Sequence, residues 1–180
     1  KHTGTCPAAG MAVIRGYSGK EAAGIVIDSR KVEPGDIFVA IRGERVDGHQ
    51  FIREVFDKGA IAVVCEEEPE ELPGPCIRVE DSLAALRQIA AFYREQMPIP
   101  IVGITGSVGK TSTKEFVASV LAQKYKTHKT QGNFNNEIGV PLTLLAMPED
   151  TEAAVVEMGI NHFGEMHRLS EMVKPDICVM

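Results

Sequence analysis

The chain has 180 residues, of which 44% are apolar and 24% charged, enough for one large or two small cores and too apolar for a disordered chain. Its formal net charge of −6 excludes a protein that grips nucleic acid over a broad surface, because neutralising phosphates takes clustered Lys and Arg, although a local anion site remains compatible. No apolar run approaches the roughly 20 residues of a membrane span, and the first residues lack the charged-then-apolar order of a secretory signal, so a cytoplasmic protein without membrane insertion is expected.

The chain begins at Lys1 with no obvious first strand. From Ile25 to Tyr93 short apolar runs alternate with helical patterns. Asp36 to Ile41 and Ala60 to Cys65 read as strands, and between them a helix starts after Asp47-Gly48 and buries Phe51, Ile52, Val55 and Phe56. The acidic run Glu66-Glu67-Glu68-Pro69-Glu70-Glu71 reads as a solvated loop. Cys76 to Val79 is the next strand. Asp81 or Ser82 then caps a helix whose buried stripe is Leu83, Leu86, Ile89, Ala90 and Tyr93, and Met97-Pro98-Ile99-Pro100 breaks the chain into two domains, 1–97 and 98–180.

The second domain opens with Ile101-Val-Gly-Ile-Thr-Gly-Ser-Val-Gly-Lys-Thr-Ser-Thr113, an apolar run ending in spaced glycines and then Lys110-Thr111. This is how a strand feeds a phosphate-cradling loop and a helix. Glycine lets backbone N–H groups close around phosphate oxygens, and the helix adds its positive end. Lys110 supplies a point charge and the Thr111 hydroxyl a magnesium ligand. The general pattern wants a glycine where Ile104 stands; glycines occupy 103 and 106 instead, so Thr105-Gly106-x-x-Gly109-Lys110-Thr111 is a variant. The competing account is a tight turn in a parallel sheet. In the helix that follows, Thr113, Phe116, Val117, Val120 and Leu121 are expected against a sheet, with Lys114, Ser119 and Gln123 on the other side.

Strict alternation continues: a strand at Lys126 to Thr130, a Gly/Asn-rich loop, a helix, a strand at Ala153 to Glu157, another helix, and a strand at Ile177 to Met180. This is the order of a parallel sheet with crossover helices. The expected fold is therefore α/β, a small mixed N-terminal domain followed by a truncated P-loop parallel-sheet domain, and the chain is expected to be a piece of a longer enzyme.

Three further clusters can carry chemistry. Thr130-Gln-Gly132-Asn133-Phe-Asn135-Asn136-Glu137-Ile-Gly139-Val-Pro141 packs three asparagines into one loop, which a turn plus an N-cap would equally explain. Glu157 ends an apolar strand at the crevice where open α/β sheets bind ligands, and there it can hold magnesium opposite Thr111; a helix cap or an exposed strand end is the alternative. In Asn161-His162-Phe-Gly164-Glu165-Met-His167 the histidine spacing turns the pair off a common helical face, so loop packing or substrate contact is expected rather than a metal site. Cys6, Cys65, Cys76 and Cys178 have no C-x-x-C spacing and read as small buried hydrophobes.

Ile104 to Glu115, Gly132 to Leu145 and Glu157-Met-Gly-Ile-Asn-His-Phe-Gly-Glu165 together resemble the Mur ligases, and Asp28-Ser-Arg30 through Phe51 is similar to that family's UDP-sugar-binding domain. Gly132 to Leu145 is most similar to the branch that joins D-alanyl-D-alanine to UDP-N-acetylmuramoyl-tripeptide in peptidoglycan synthesis. The resemblance implies an ATP- and Mg2+-dependent ligase acting through an acyl phosphate, with residues 1–97 binding the UDP-sugar peptide and 98–180 the first part of the ATP domain. It further implies that Gly106, Ser107, Val108, Gly109, Lys110, Thr111 and Ser112 bind the ATP phosphates. Lys110 and Glu157 are the implied catalytic pair, Thr111 and Glu157 the metal ligands, and Ser29, Arg30, Asn133, Asn135 and Asn136 substrate contacts. Bare sequence offers a surface turn for Asp28-Ser-Arg30. A carbamylated lysine, a metal-binding histidine and the adenine contacts are expected beyond Met180, so this chain alone is expected to lack ligase activity. Its expected partners are the two substrates, in a monomer. A sister ligase adding one amino acid, a P-loop kinase or regulatory ATPase, and a non-catalytic binding module are the alternatives.

Overall fold

A computed structural model describes residues 13–15, 21–43, 46–71, 73–160 and 164–180. The chain forms two compact units that part between Gln88 and Ile89.

In the first unit five strands, β1 (Val13–Arg15), β2 (Ile25–Val26), β3 (Ile37–Val39), β4 (Ala62–Cys65) and β5 (Cys76–Arg78), line up in the order β1-β5-β4-β3-β2. The pairs from β2 to β5 are parallel and β1 is antiparallel to β5, with Ile14 opposite Ile77. The sequence reading missed β1. Three residues are too few for alternation to register, and this strand exists because the edge of β5 pairs with it. A 3-10 turn over Gly48–Phe51, opened by the Asp47 carboxylate accepting the His49 N–H at 2.9 Å, leads into α1 (Ile52–Asp57). That helix lays Ile52 and Val55 on Phe38, Val63, Cys65 and Cys76, all buried, while Phe51 and Phe56 are only partly covered. The Cys65 and Cys76 thiols are buried as expected and lie 2.8 Å apart in this core, and the hydrogen bond between them together with burial pushes Cys65 far above the ordinary thiol range; Cys178 is exposed, contrary to expectation, and Cys6 lies outside the described residues.

The division of the units falls inside α2 (Ser82–Gln96), earlier than the break expected at Met97-Pro98. Asp81 is the cap: its carboxylate accepts the Ala84 N–H at 2.8 Å. Past the division, Ala90 and Met97 are buried in the second core, and the Tyr93 hydroxyl donates to the Met147 carbonyl at 2.7 Å.

The second unit contains β6 (Ile101–Ile104), α3 (Lys110–Leu121), β7 (Thr127–Lys129), α4 (Gly139–Leu145), β8 (Ala153–Glu157), α5 (Glu165–Val173) and β9 (Ile177–Val179). Its sheet runs β7-β8-β6-β9, all parallel. Every residue of β8 is buried, as expected of a central parallel strand covered on both faces. Alternation splits the strand: Ala154 and Val156 join Leu144, Leu169 and Met172 under α4 and α5, whereas Val155 joins Ile104 and Ala118 under α3. Val155 and Glu157 therefore share the α3 side.

The phase of α3 differs from the expectation. Lys114 and Ala118 are buried and Val117 and Leu121 half-buried, while Phe116 is 72% and Val120 71% exposed. The sequence at 114, 117, 118 and 121 has the same helical spacing as the apolar stripe, so periodicity alone could not choose between two faces. The loop before the helix chooses. Directing Thr111 toward the strand ends brings positions 114 and 118 to the sheet and turns 116 and 120 away.

The end of α5 is held by a buried cation. Arg94 donates from Nε to the Val173 carbonyl at 3.0 Å, from Nη2 to Lys174 at 3.3 Å, and from Nη1 to Met97. The guanidinium thus meets the negative end of the helix and its unpaired carbonyls together, where Lys174 turns left-handed at φ 45°. Replacing it with Met (Arg94→Met) should destabilise the second unit by about 2–4 kcal/mol, since buried carbonyls lose a charged donor. Urea unfolding followed by amide exchange in the last turn of α5 measures this. Lys174→Gly should move stability the other way by up to about 1 kcal/mol, because glycine relieves the left-handed strain.

Candidate functional site

The functional cluster forms where β6 and β8 end side by side, Ile104 opposite Glu157. From β6 the chain enters the loop 105–109, whose glycines adopt φ 129° at Gly106 and φ 82° at Gly109, conformations that side chains with a Cβ rarely reach. Helix α3 then starts with no side-chain cap, which leaves its first N–H groups aimed into the loop. Ser107, Val108 and Gly109 are open to solvent. The Lys110 ammonium folds back onto the Gly106 carbonyl at 2.7 Å, bracing the loop from inside. The Thr105 hydroxyl, at the root of the loop, is buried without a hydrogen-bond partner among the described residues, which leaves a polar group that a ligand could satisfy.

Glu157 is the hub. It is 1% exposed, and three side chains converge on its carboxylate. The Thr111 hydroxyl lies 3.1 Å from Oε2 and 3.3 Å from Oε1, the Asn135 amide donates to Oε1 at 2.8 Å, and the Lys114 ammonium stands 3.6 Å from Oε2. Its backbone N–H donates to the buried Thr130 hydroxyl at 2.9 Å. Lys114 also donates to the Gly132 carbonyl at 3.4 Å and lies 3.3 Å from Glu115, which in turn pairs with Lys129. The Lys129 ammonium, with help from Lys114, holds the Glu115 carboxyl below its ordinary value.

Of the three asparagines, the structure brings only Asn135 to the hub. Its backbone carbonyl accepts the Gly159 N–H at 2.6 Å, which pins the loop to the end of β8. Asn136 instead accepts N–H bonds from Ile138 at 3.2 Å and Gly139 at 2.8 Å, the capping duty that asparagine performs at the start of α4. Asn133 is exposed, and its carbonyl accepts the Asn135 N–H at 2.7 Å.

Lys114 is the hub residue that sequence reasoning misplaced, on the outer face of α3. A signal existed, since it stands at helical spacing from both Lys110 and Thr111 and so shares their side. Thr130 was read only as the end of a strand and the start of a polar loop. Of the histidine pair, His162 lies outside the described residues, and His167 pairs with Glu171 on the surface of α5. Among the described residues no group of three His, Cys, Asp or Glu side chains forms a metal cage.

In the first unit Ser29 is buried and its carbonyl accepts the Lys58 ammonium at 2.8 Å. Arg30 is exposed but forms a fork with Asp28, Nε at 2.9 Å and Nη2 at 2.8 Å. The hydrogen bond from that guanidinium holds the Asp28 carboxyl at about 2, below its ordinary 3.8. Two donors of the fork are thus committed, and the rest of the guanidinium faces solvent.

Chemically, the hub offers hard oxygen donors, a hydroxyl and a carboxylate, beside a loop of N–H groups and the Lys110 and Lys114 ammonium groups. Such a set suits magnesium, which takes one or two carboxylates and completes its shell with phosphates and water rather than demanding a full protein cage.

The chain is similar to known proteins over most of its length. The Mur ligase middle domain model matches residues 104–180, and the model described as Mur ligase family, catalytic domain, matches 21–94. The UDP-N-acetylmuramoyl-tripeptide–D-alanyl-D-alanine ligase of Bacillus subtilis is 44% identical over 162 residues, 87% of this chain and 35% of that protein. A crystal structure of MurF from Acinetobacter baumannii superposes with a TM-score of 0.82 at 39% identity, covering 86% of this chain and 34% of that one. The MurF ligase of Thermotoga maritima in complex with ADP superposes at 0.78 with 37% identity, covering 84% and 35%. The chain spans about a third of the length of the relatives it matches. No helix among the described residues is long and apolar enough to cross a membrane. Two models of one family in succession, over residues 21–94 and 104–180, show that the chain belongs to the Mur ligase family.

Proposed function

We propose that this chain supplies the phosphate grip and the nucleotide-sugar unit of an ATP-dependent ligase that joins D-alanyl-D-alanine to UDP-N-acetylmuramoyl-tripeptide in the cytoplasm. The observation that carries the reading is the meeting of the Thr111 hydroxyl, on the helix that follows the glycine loop, with the buried Glu157 carboxylate at the end of the neighbouring strand. A relative at 37% identity is a MurF ligase in complex with ADP, which supports a nucleotide at this loop.

In this reading the N–H groups from Gly106 to Ser112 take the ATP phosphate oxygens. Lys110 exchanges its hold on the Gly106 carbonyl for the β and γ oxygens, so one ammonium braces the loop and then the substrate. Thr111 and Glu157 hold Mg2+, which neutralises charge on the phosphates when bound. Asn135 fixes the orientation of the Glu157 carboxylate. The terminal carboxylate of the tripeptide attacks the γ phosphorus, the bond to the bridging oxygen breaks, and ADP leaves an acyl phosphate. The amine of D-alanyl-D-alanine then attacks the acyl carbon, forming the amide, releasing phosphate and losing a proton. The protein's share is alignment and charge rather than covalent chemistry. Ser29 and Arg30 contact the UDP moiety, and Asn133 and Asn136 line the approach to the site.

Three measurements on the full-length protein test this. ADP release should require both the muramoyl tripeptide and D-alanyl-D-alanine; equal release with single amino acids in place of the dipeptide, or without the sugar peptide, would displace the reading in favour of a sister ligase or a simple ATPase. Lys110→Ala should lower kcat/KM for ATP by about 10²–10³-fold, the usual loss when a charge donor to the transition state is removed. Asn135→Ala should cost about 10–100-fold, expressed chiefly as a higher magnesium requirement, because it acts through Glu157.

A further inference from the structure

Lysine is among the residues least often found fully inside a protein, yet Lys114 is 1% exposed. Among the described residues, the Gly132 carbonyl at 3.4 Å, Glu115 at 3.3 Å and Glu157 at 3.6 Å lie within reach of its ammonium. Glu115 is shared with Lys129, so two carboxylates and two ammonium groups form a chain Glu157–Lys114–Glu115–Lys129 with no net charge. One end of that chain is the carboxylate that faces the Thr111 hydroxyl. Helical geometry leaves Lys114 no other place: at one turn beyond Lys110 and Thr111 it must lie on their side of α3.

We propose that Lys114 is a positioning residue that makes the metal site at Glu157 depend on the nucleotide. This rests on the reading of Thr111 and Glu157 as magnesium ligands. The single negative charge of Glu157 is already matched by Lys114, so a dication arriving alone meets an ammonium a few ångströms away in a poorly screened interior, with no unmatched anion to receive it. A nucleotide polyphosphate brings the missing negative charge, and the metal then enters with the repulsion offset. Lys114 also ties Gly132 to α3, which keeps the loop carrying Asn135 against the same carboxylate. Its role is exerted through Glu157 and the loop, without contact to the reacting atoms.

Mn2+ serves as the probe, its binding to the full-length protein followed by water-proton relaxation with and without ADP, after subtraction of the Mn2+–ADP complex in solution. Wild-type protein should bind Mn2+ at least 10-fold more tightly with ADP than without it. Lys114→Gln, which can still donate to Gly132, should raise the affinity for Mn2+ alone by about 10-fold and shrink the coupling to ADP accordingly. Lys114→Arg, which keeps the charge, should restore the coupling. A merely structural lysine would lower both affinities together and move neither ratio. If Lys114→Gln binds ADP normally but leaves the affinity for Mn2+ alone unchanged, the assignment is wrong. Equal Mn2+ affinity of the wild type with and without ADP overturns it with no variant needed. Glu157→Gln separates the two readings. If it abolishes ADP-dependent Mn2+ binding while Lys114→Gln has no effect, only the role of Lys114 falls; if it changes nothing, the magnesium site falls as well.

Discussion

A carboxylate buried at the end of a central strand sets the terms for the second unit. Glu157 has left water almost entirely, and a charge in that position has to be met by donors and counter-charges at close range. Those partners come from separate stretches of chain: Thr111 and Lys114 from α3, Asn135 from the loop before α4, and Thr130 through the backbone N–H. Each stretch is thereby fixed relative to the strand ends. The rotation of α3, the path of the asparagine loop and the end of β8 are solutions to one electrostatic requirement.

The sheet makes that requirement affordable. Because β8 is covered on both faces, its apolar residues alternate between two cores, and only its last position carries charge. Glu157 falls on the α3 side by the period of two, and its neighbour across the sheet, Ile104, is the residue from which the glycine loop departs. A parallel sheet brings the carboxyl ends of β6 and β8 to one edge, where the loop, the helix N-terminus and the carboxylate meet. The same geometry leaves Phe116 and Val120 facing outward, since the α3 surface opposite Thr111 has no sheet beneath it.

Much of this was legible in the sequence because several local signals agreed. Strand, glycine loop, Lys110, Thr111 and helix occur in a fixed order whose mechanism admits few alternatives, and Glu157 closes an unmistakable apolar run. What stayed hidden depends on tertiary pairing. Strand β1 is three residues long and is defined by the edge of β5. The rotation of α3 was ambiguous because two faces had equally good spacing, and hydrophobicity favoured the wrong one, placing Lys114 outside. The compact units part within α2, where one helix carries buried residues on both sides of Gln88, and the break at Pro98 follows a few residues later.

The asparagine loop shows why composition could not apportion roles within a cluster. Asn133, Asn135 and Asn136 looked interchangeable, yet the backbone separates them. The 2.7 Å bond from the Asn135 N–H to the Asn133 carbonyl tightens the loop, and the bond from Gly159 to the Asn135 carbonyl sets its height above β8. With the backbone so held, the side chain at 135 turns inward to Glu157, and the side chain at 136 turns to the free N–H groups of Ile138 and Gly139. Each of the two roles needs a different chemical end of the same amide: the inward one uses the donor NH2, the capping one the acceptor oxygen. Asp at 136 could still cap, whereas Asp at 135 would set a second carboxylate against Glu157, whose counter-charge Lys114 is already shared with Glu115. The loop therefore tolerates exchange at one asparagine and resists it at the other, for reasons fixed by the buried carboxylate and not by the turn.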